Sequence, residues 1–258
     1  MRGVTSFVLT PPVKTLAGRI GAVDVPKDAR RMHRMPIPRL GGLAIFLAFA
    51  ALCLAFPGKA QKHTRQWVRW EFARIQIPEE ASSPYADTPS VRGTYAAGAL
   101  AENVQTSALM YVNFLRALAY LPPIGLEDVY SLRAQHGAVL LAANDRLEHD
   151  APRPQDMPGD FYECAHTGTL SSNIAALNWA TPDVLLNAME YFCRDDGEEN
   201  LPVMGHRRYL LSPLLGKTGL GLAQSQSGIS YAVLYVGDTS ADSGDWRQVA
   251  WPSEGAFP

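Results

Sequence analysis

Residues 205–221 read GHRRYLLSPLLGKTGLG, and this stretch restricts the fold of the chain more than any other. A Gly-His pair opens a basic, aromatic and apolar turn of helix, which Pro213 must end because proline brings no N–H to continue it. Gly216, Gly219 and Gly221 then lead into Leu220–Ala223, which reads as a strand. A neighbouring strand is predicted over Tyr231–Val236, β-branched and aromatic and bounded by Gly228 and Gly237. Two such strands cannot bury their own faces, so the rest of the chain must supply a layer to cover them.

Helical periodicity supplies it. From Tyr95 onward, Leu100, Val104, Ala108, Tyr111, Leu115 and Leu118 recur at three- and four-residue steps until Leu121-Pro122-Pro123 ends the run. A second helix is predicted over Glu127–Asn144, with Val129, Leu132, Ala134, Ala138, Leu141 and Ala142 as its apolar face. A third spans Pro182–Phe192, with Thr181 as N-cap and Pro182 at the first helical position. Helices followed by a small antiparallel sheet make a layered α+β domain, and an apolar share of 47% is enough for a core. Residues 58–94 carry Pro78, Pro84 and Pro89 among Ser82, Ser83 and Ser90 and read as a linker. The net charge of −2 gives no reason to expect nucleic acid or a strongly anionic partner.

Leu40–Phe56 is a run of 17 residues without a charge, stopped by Pro57-Gly58. That length is at the short end for crossing a hydrocarbon core of about 30 Å. A buried core helix or the apolar region of a signal peptide are the alternatives. The long stretch ahead of the run, and the lack of a small-x-small cleavage site after it, argue against the signal peptide. Lys14, Arg19, Lys27, Arg30, Arg31, Arg34 and Arg39 precede the run against Asp24 and Asp28, and fewer, more scattered cations follow. The expectation is a single-pass cell-membrane protein with residues 40–56 as its transmembrane helix and the C-terminal domain extracellular. Cys53 lies in the run, so Cys164 and Cys193 either pair as a disulfide or remain two free thiols.

Before the run, Thr10-Pro11-Pro12-Val13-Lys14 and Gly21-Ala22-Val23-Asp24-x-Pro26 precede His33-Arg34-Met35-Pro36-Ile37-Pro38-Arg39-Leu40-Gly41-Gly42. These motifs resemble the first cytoplasmic loop and second helix of the polyprenyl-phosphate N-acetylhexosamine-1-phosphate transferases. The resemblance covers residues 1–57 of this chain. Such enzymes use Mg²⁺ and paired aspartates on later loops, because joining two anions needs their charge neutralised. No later membrane helix follows here to carry such loops, so transferase activity is expected to be absent. Residues 1–57 then serve as an anchor, or are the remnant of a gene fusion or assembly join.

A second resemblance covers residues 95–240. Asn113-Phe114-Leu115-Arg116-x-Leu118-Ala119-x-Leu121-Pro122-Pro123, the Ala138–His149 stretch, Ser171-Ser172-Asn173-Ile174-Ala175 and Gly205–Gly221 follow in an order and at distances similar to those of CAP domains. That superfamily holds the cysteine-rich secretory proteins, antigen 5 and the plant pathogenesis-related proteins. The resemblance implies an α-β-α sandwich over residues 95–258, and a central cleft lined by two histidines and two acidic residues, where some members bind Zn²⁺. His149 and His206 match the histidines, and imidazoles suit a divalent transition metal. Ser172 stands where the family has the Glu of Gly-Glu-Asn, Asn173 keeps the Asn, and the second acid falls at Glu190 or Tyr191. Losing one carboxylate weakens both a zinc-site and a hydrolase reading. Trp251-Pro252-Ser253-Glu254-Gly255 resembles a tail of bacterial relatives, and the abrupt end at Pro258 suggests a chain cut short.

Other constellations carry less. A serine nucleophile at Ser171 or Ser172 lacks the G-x-S-x-G elbow, and serines before Asn-Ile more often cap or line a turn. Asp195-Asp196-Gly197-Glu198-Glu199 reads as a solvated acidic loop, and His136 as a partly exposed helix residue. His33 and His166 have no matching partners, and Arg207 and Arg208 suit surface carboxylates better than an anion. The G-x-x-G-x-G spacing does not end in Gly-Lys-Ser/Thr as a phosphate loop would. The expected function is a binding module at the cell envelope for a lipid, a glycan or another protein. The alternatives are a Zn²⁺-dependent hydrolase using His149 and His206, and an inactive sugar-phosphate transferase fragment.

Overall fold

The computed structural model describes residues 63–256 apart from 79–82, 179–182, 196, 199, 242–243 and 245–247. Of the first 62 residues it describes 11, 14–17, 19–20, 22–24 and 37–38. The chain divides into two compact units, Met1–Lys62 and His63–Pro258. In the first, β1 (Val23–Asp24) pairs antiparallel with β2 (Ile37–Pro38), which joins two of the N-terminal motif segments.

The second unit runs α1 (Arg65–Ala73), β3 (Tyr85–Asp87), β4 (Ala99–Leu100), α2 (Glu102–Leu118), β5 (Gly125–Leu126), α3 (Asp128–Asn144) and α4 (Gly159–Leu170). It continues with β6 (Ser172–Leu177), α5 (Val184–Arg194), α6 (Arg207–Leu210), β7 (Lys217–Thr218), β8 (Leu220–Gln224) and β9 (Ser230–Tyr235). Its centre is a three-stranded antiparallel sheet in the order β6-β9-β8. Side chains alternate across it, as the pleat requires. Ile174, Tyr231, Val233 and Tyr235 join one core with Ala134, Ala138, Leu141 and Ala165 from α3 and α4. Ala175, Leu177, Leu222, Ala232 and Leu234 join another with Val112, Leu115, Leu185 and Met189 from α2 and α5. Because helices cover both faces, β9 is buried along its whole length and reads as an unbroken apolar run.

Gly219 and Gly221 are seats for α3. A Cβ on Gly219 would strike the backbone of Tyr130 and Ser131, and one on Gly221 the backbone of Ala134 and Gln135. Gly168 does the same service for α4, where a Cβ would meet the Arg133 carbonyl. The edge strand β8 is closed by a side chain: Gln135 donates to Leu222 O (2.9 Å) and accepts from Leu222 N (3.0 Å). That satisfies backbone groups a sheet edge would otherwise leave open.

Several expectations need correcting. The first predicted helix begins at Glu102, after Gly98 adopts a left-handed φ of 63° and β4 intervenes. On α3, Val129 and Leu132 are about half exposed. The helix is buried by α4 on one side and by the sheet on the other, so its covered surface centres on alanines and Gly137, not on those larger residues. Helix α4 had no predicted counterpart. Thr181 and Pro182 lie outside the described residues, and α5 starts at Val184.

The linker read over 58–94 is structured from His63. Thr64 Oγ1 accepts from Trp67 N at 3.1 Å as a cap for α1, and Val68 and Ile75 enter the core beside α2. The His63 ring stacks between Trp67 and Tyr120, and Ala256 N donates to His63 O at 2.7 Å. The C-terminal tail therefore straps α1 to the body. The transmembrane helix expected over 40–56 lies outside the described residues. Among those described no helix is long and apolar enough to cross a membrane. The longest, α2 and α3, have 17 residues each and span about 26 Å. That finding counts against the expected single-pass placement with an extracellular C-terminal domain. Cys164 and Cys193 are free thiols, and burial pushes the Cys193 thiol up to about 12.

Candidate functional site

One end of the sheet opens into a cleft of about 580 Å³. Four segments build it: the end of α4 with the start of β6 (Leu170 to Asn173), the turn after α3 (His149), the α5–α6 connection with α6 itself (Asn200, Gly205, His206, Arg208, Tyr209), and the exit of β9 (Val236, Gly237). His149, Ser172, Asn173 and His206, predicted from separate stretches of sequence, all line it.

His206 is held on several sides. Its Nδ1 lies 2.9 Å from Asp195 Oδ1, and its peptide N–H donates to Asp195 Oδ2 at 3.1 Å. Asn173 Nδ2 donates to the His206 carbonyl at 3.0 Å, and Phe192 flanks the ring at 5.1 Å. A carboxylate only accepts, so Nδ1 carries a hydrogen and Nε2 is left without a partner. His149 arrives at the same state by another route, since its Nδ1 lies 2.8 Å from the Thr169 carbonyl, also an acceptor only. Both imidazoles of the cleft thus keep Nε2 for a ligand. This is the orientation a metal-binding histidine takes when its other nitrogen is anchored.

The supporting acid is Asp195, which the sequence placed in a solvated loop. It is 1% exposed and occupies the left-handed position that ends α5 (φ 53°). Besides the two bonds to His206 it accepts from Arg207 N at 3.1 Å. Arg207 in turn donates through Nε to the Cys193 carbonyl at 2.6 Å and through Nη2 to the Arg194 carbonyl, so it caps α5 and does not face a ligand. Glu190, the acid predicted for the site, is exposed on α5 and pairs with Arg194 at 3.7 Å, away from the cleft lining. A left-handed Asp at a helix end just before Gly197 was the available signal, but only tertiary packing brings it to His206.

Ser171 ends α4 and Ser172 starts β6, opposite Tyr235. The Ser172 hydroxyl is buried and has no hydrogen-bond partner. Among the described residues no hydrogen bond joins Ser171 or Ser172 to a histidine, so neither serine of the cleft is paired with a base for nucleophilic attack. No group of three or more metal-binding side chains occurs among the described residues. His149 and His206 each offer an anchored imidazole to a zinc ion, but among the described residues no third protein ligand of a catalytic zinc joins them. His166 pairs with Asp150 at 2.7 Å, and neither lines the cleft. The glycine run beginning at Gly216 opens no helix; its Lys217-Thr218 pairs as a strand with β5.

The α6 segment is fixed from below by Arg116, fully buried on α2. Its guanidinium donates to the carbonyls of Pro122 (3.0 Å), Leu210 (2.9 Å), Ser212 (2.9 Å) and Leu215 (3.1 Å). Burial pushes its pKa down to about 10, so it stays charged at neutral pH. Asp238 holds the next stretch by accepting from Gly216 N (3.0 Å), Lys217 N (2.8 Å) and Tyr130 Oη (3.0 Å).

No family model matches the chain. It is 48% identical over 52 residues to a probable undecaprenyl-phosphate N-acetylglucosaminyl 1-phosphate transferase of Bacillus subtilis, a match covering 20% of this chain and 14% of that protein. It is also 48% identical over 44 residues to the decaprenyl-phosphate N-acetylglucosaminephosphotransferase of Mycobacterium tuberculosis, covering 17% of this chain and 11% of the relative. The chain therefore has a short segment similar to these transferases and spans only a small part of their length.

Proposed function

We propose that the His63–Pro258 unit is a ligand-binding module of the CAP type and that the cleft at the end of its sheet is the binding site. One observation carries the reading: His149, Ser172, Asn173 and His206 converge on a single cleft with both Nε2 atoms left unbonded. Helices on both faces of a three-stranded antiparallel sheet support an α-β-α sandwich. Binding is favoured over hydrolysis because no carboxylate able to act as base lines the cleft among the described residues. Asp195 is spent on His206 and Arg207, and a neutral hydroxyl stands at Ser172. The test follows the imidazole ¹⁵N signals of His149 and His206 during ligand titration. A true ligand moves both with one dissociation constant; signals that titrate independently refute a shared site. Stoichiometric Zn²⁺ uptake abolished by His206→Ala would instead revive the hydrolase.

A second reading rests on the segment 48% identical to the polyprenyl-phosphate transferases. It is the reading the comparisons favour, for the fifth of the chain they reach. On it the chain includes a piece of a sugar-phosphate transferase without the acidic Mg²⁺ loops, and Mg²⁺-dependent transfer of a sugar phosphate to a polyprenyl phosphate should be absent. Detecting such transfer by the full chain would make that reading the first.

A further inference from the structure

We propose that this cleft takes the anionic headgroup, phosphate or carboxylate, of an amphiphile whose apolar chain lies against the rim of the cleft. The inference rests on reading the cleft as a ligand site and adds the chemistry of the ligand.

Charge decides the head. Among the described side chains lining the cleft, Arg208 carries the only formal charge, and none is a carboxylate. The whole-chain charge of −2 does not set the sign of one cleft, where low-dielectric walls focus the local field. Asp195 is 1% exposed and its oxygens are taken, so it offers a ligand nothing. Arg208 is steadied by its own neighbour: the guanidinium lies 4.7 Å from the Tyr209 ring centre and Nη2 donates to Tyr209 Oη at 3.2 Å. Nε and Nη1 remain for a ligand oxygen.

The second, independent observation is Ser172. Ser172 lines the cleft and is 5% exposed, and its hydroxyl is buried beside the cleft without a partner, although an unmet buried polar group is costly. A ligand oxygen accepting from it removes that cost. Where related clefts are expected to hold a glutamate, this one holds a donor.

The rim decides the tail. Leu170 and Tyr209 line the cleft and are 53% and 44% exposed. The turn that delivers Gly205 and His206 exposes Leu201, Val203 and Met204 by about half or more. Single exposed apolar residues are ordinary, but this concentration beside a cationic, hydroxyl-bearing cleft is the pattern an amphiphile requires.

Calorimetry on the full chain tests this with dodecyl phosphate, dodecanoate, inorganic phosphate and the neutral dodecyl maltoside, all below micellar concentration. The His149 and His206 imidazole signals report whether the cleft is occupied. One anionic amphiphile should bind and move both signals, and the stronger of the two identifies the head as phosphate or carboxylate. Arg208→Ala should weaken it about tenfold or more, as expected for one charge-assisted bond. Ser172→Ala should weaken it about fivefold, the range of one hydrogen bond. Arg208 is exposed, so its loss leaves the fold intact. If dodecyl maltoside moves the signals as well as the anions do, and Arg208→Ala changes nothing, the charge selection is wrong while the cleft survives as a ligand site. If inorganic phosphate binds as tightly as dodecyl phosphate, the tail is wrong. If no probe moves either signal, this inference is overturned, while the binding-cleft reading stands or falls by its own titration.

Discussion

Replacing Asp195 with Asn tests the arrangement at His206 by a tautomer, which geometry alone fixes. In the native protein Oδ2 accepts from the peptide N–H groups of His206 and Arg207, and Oδ1 receives Nδ1–H of the ring. An Asn side chain can satisfy the two peptide N–H groups only by turning its oxygen to them. Its NH₂ then faces Nδ1. If Nδ1 kept its hydrogen, two donors would meet in a site that is 1% exposed, at a cost of about 1–3 kcal/mol. Moving the hydrogen to Nε2 removes that clash, so the variant should carry the Nε2–H tautomer. The bonds also lose charge assistance, roughly half their strength, offset by the easier burial of a neutral group. A net destabilisation of about 1–3 kcal/mol is expected. Long-range ¹H–¹⁵N correlation spectra distinguish the tautomers, and urea unfolding gives the stability. If His206 in Asp195→Asn still carries its hydrogen on Nδ1, the carboxylate does not orient the ring and the site has been misread. Asp195→Ala should cost more, about 3–5 kcal/mol, because nothing replaces the acceptor.

Gly221→Ala should destabilise the protein by more than about 3 kcal/mol or prevent folding, since its Cβ meets α3 backbone that no rotamer change can move; a urea midpoint within error of wild type would contradict the seating of α3. Gln135→Leu should cost about 2–4 kcal/mol by leaving Leu222 N and O and Ala97 O without their partner, and should speed hydrogen exchange at Leu222 above all. Arg116→Met keeps the volume but strands four carbonyls, and is expected to lower stability by about 3–5 kcal/mol and to broaden the His206 imidazole signal. Asp238 gives a pH signature: burial pushes its pKa up, but hydrogen bonds from Ser240, Gly216, Lys217 and Tyr130 outweigh that and hold it below the usual carboxylate value. The unfolded chain therefore binds the proton first, so the stabilisation is present above the ordinary carboxylate range and is lost as pH falls through the depressed native value. Asp238→Asn should flatten that part of the acid-unfolding curve, and an unchanged slope would show that the carboxylate is not held as described.

Much of the fold could be read in the sequence where one physical rule dominates. Helix α2 followed from apolar spacing, and β8 and β9 from β-branched or aromatic runs between glycines. Helix α3 was found but faced wrongly. It is packed on two sides, so burial follows small residues that allow close approach, and Val129 and Leu132 sit outside both contacts. Helix α4 was missed because Gly159, Gly168 and two threonines dilute its period, and Gly168 is there for α3, not for the helix that contains it. The histidines of the cleft were legible through their context. Asp195 was not, because the same left-handed acidic residue ends a helix whether it faces water or a histidine.

The 205–221 segment is tied to four different elements at once. His206 is tied to α5 through Asp195, Leu210 and Ser212 to α2 through Arg116, Gly216 and Lys217 to the exit of β9 through Asp238, and Gly219 and Gly221 to α3 by close approach. Each anchor lies on a different element, so the segment is located by several independent constraints and the His206 ring cannot drift with any one of them. Ser172 is the exception, a buried hydroxyl with no anchor in the protein, one strand away from this over-determined frame. A frame held so firmly around one unmet group is what a preorganised binding site requires, because the cost of arranging the donors has been met in folding and is not charged to the ligand.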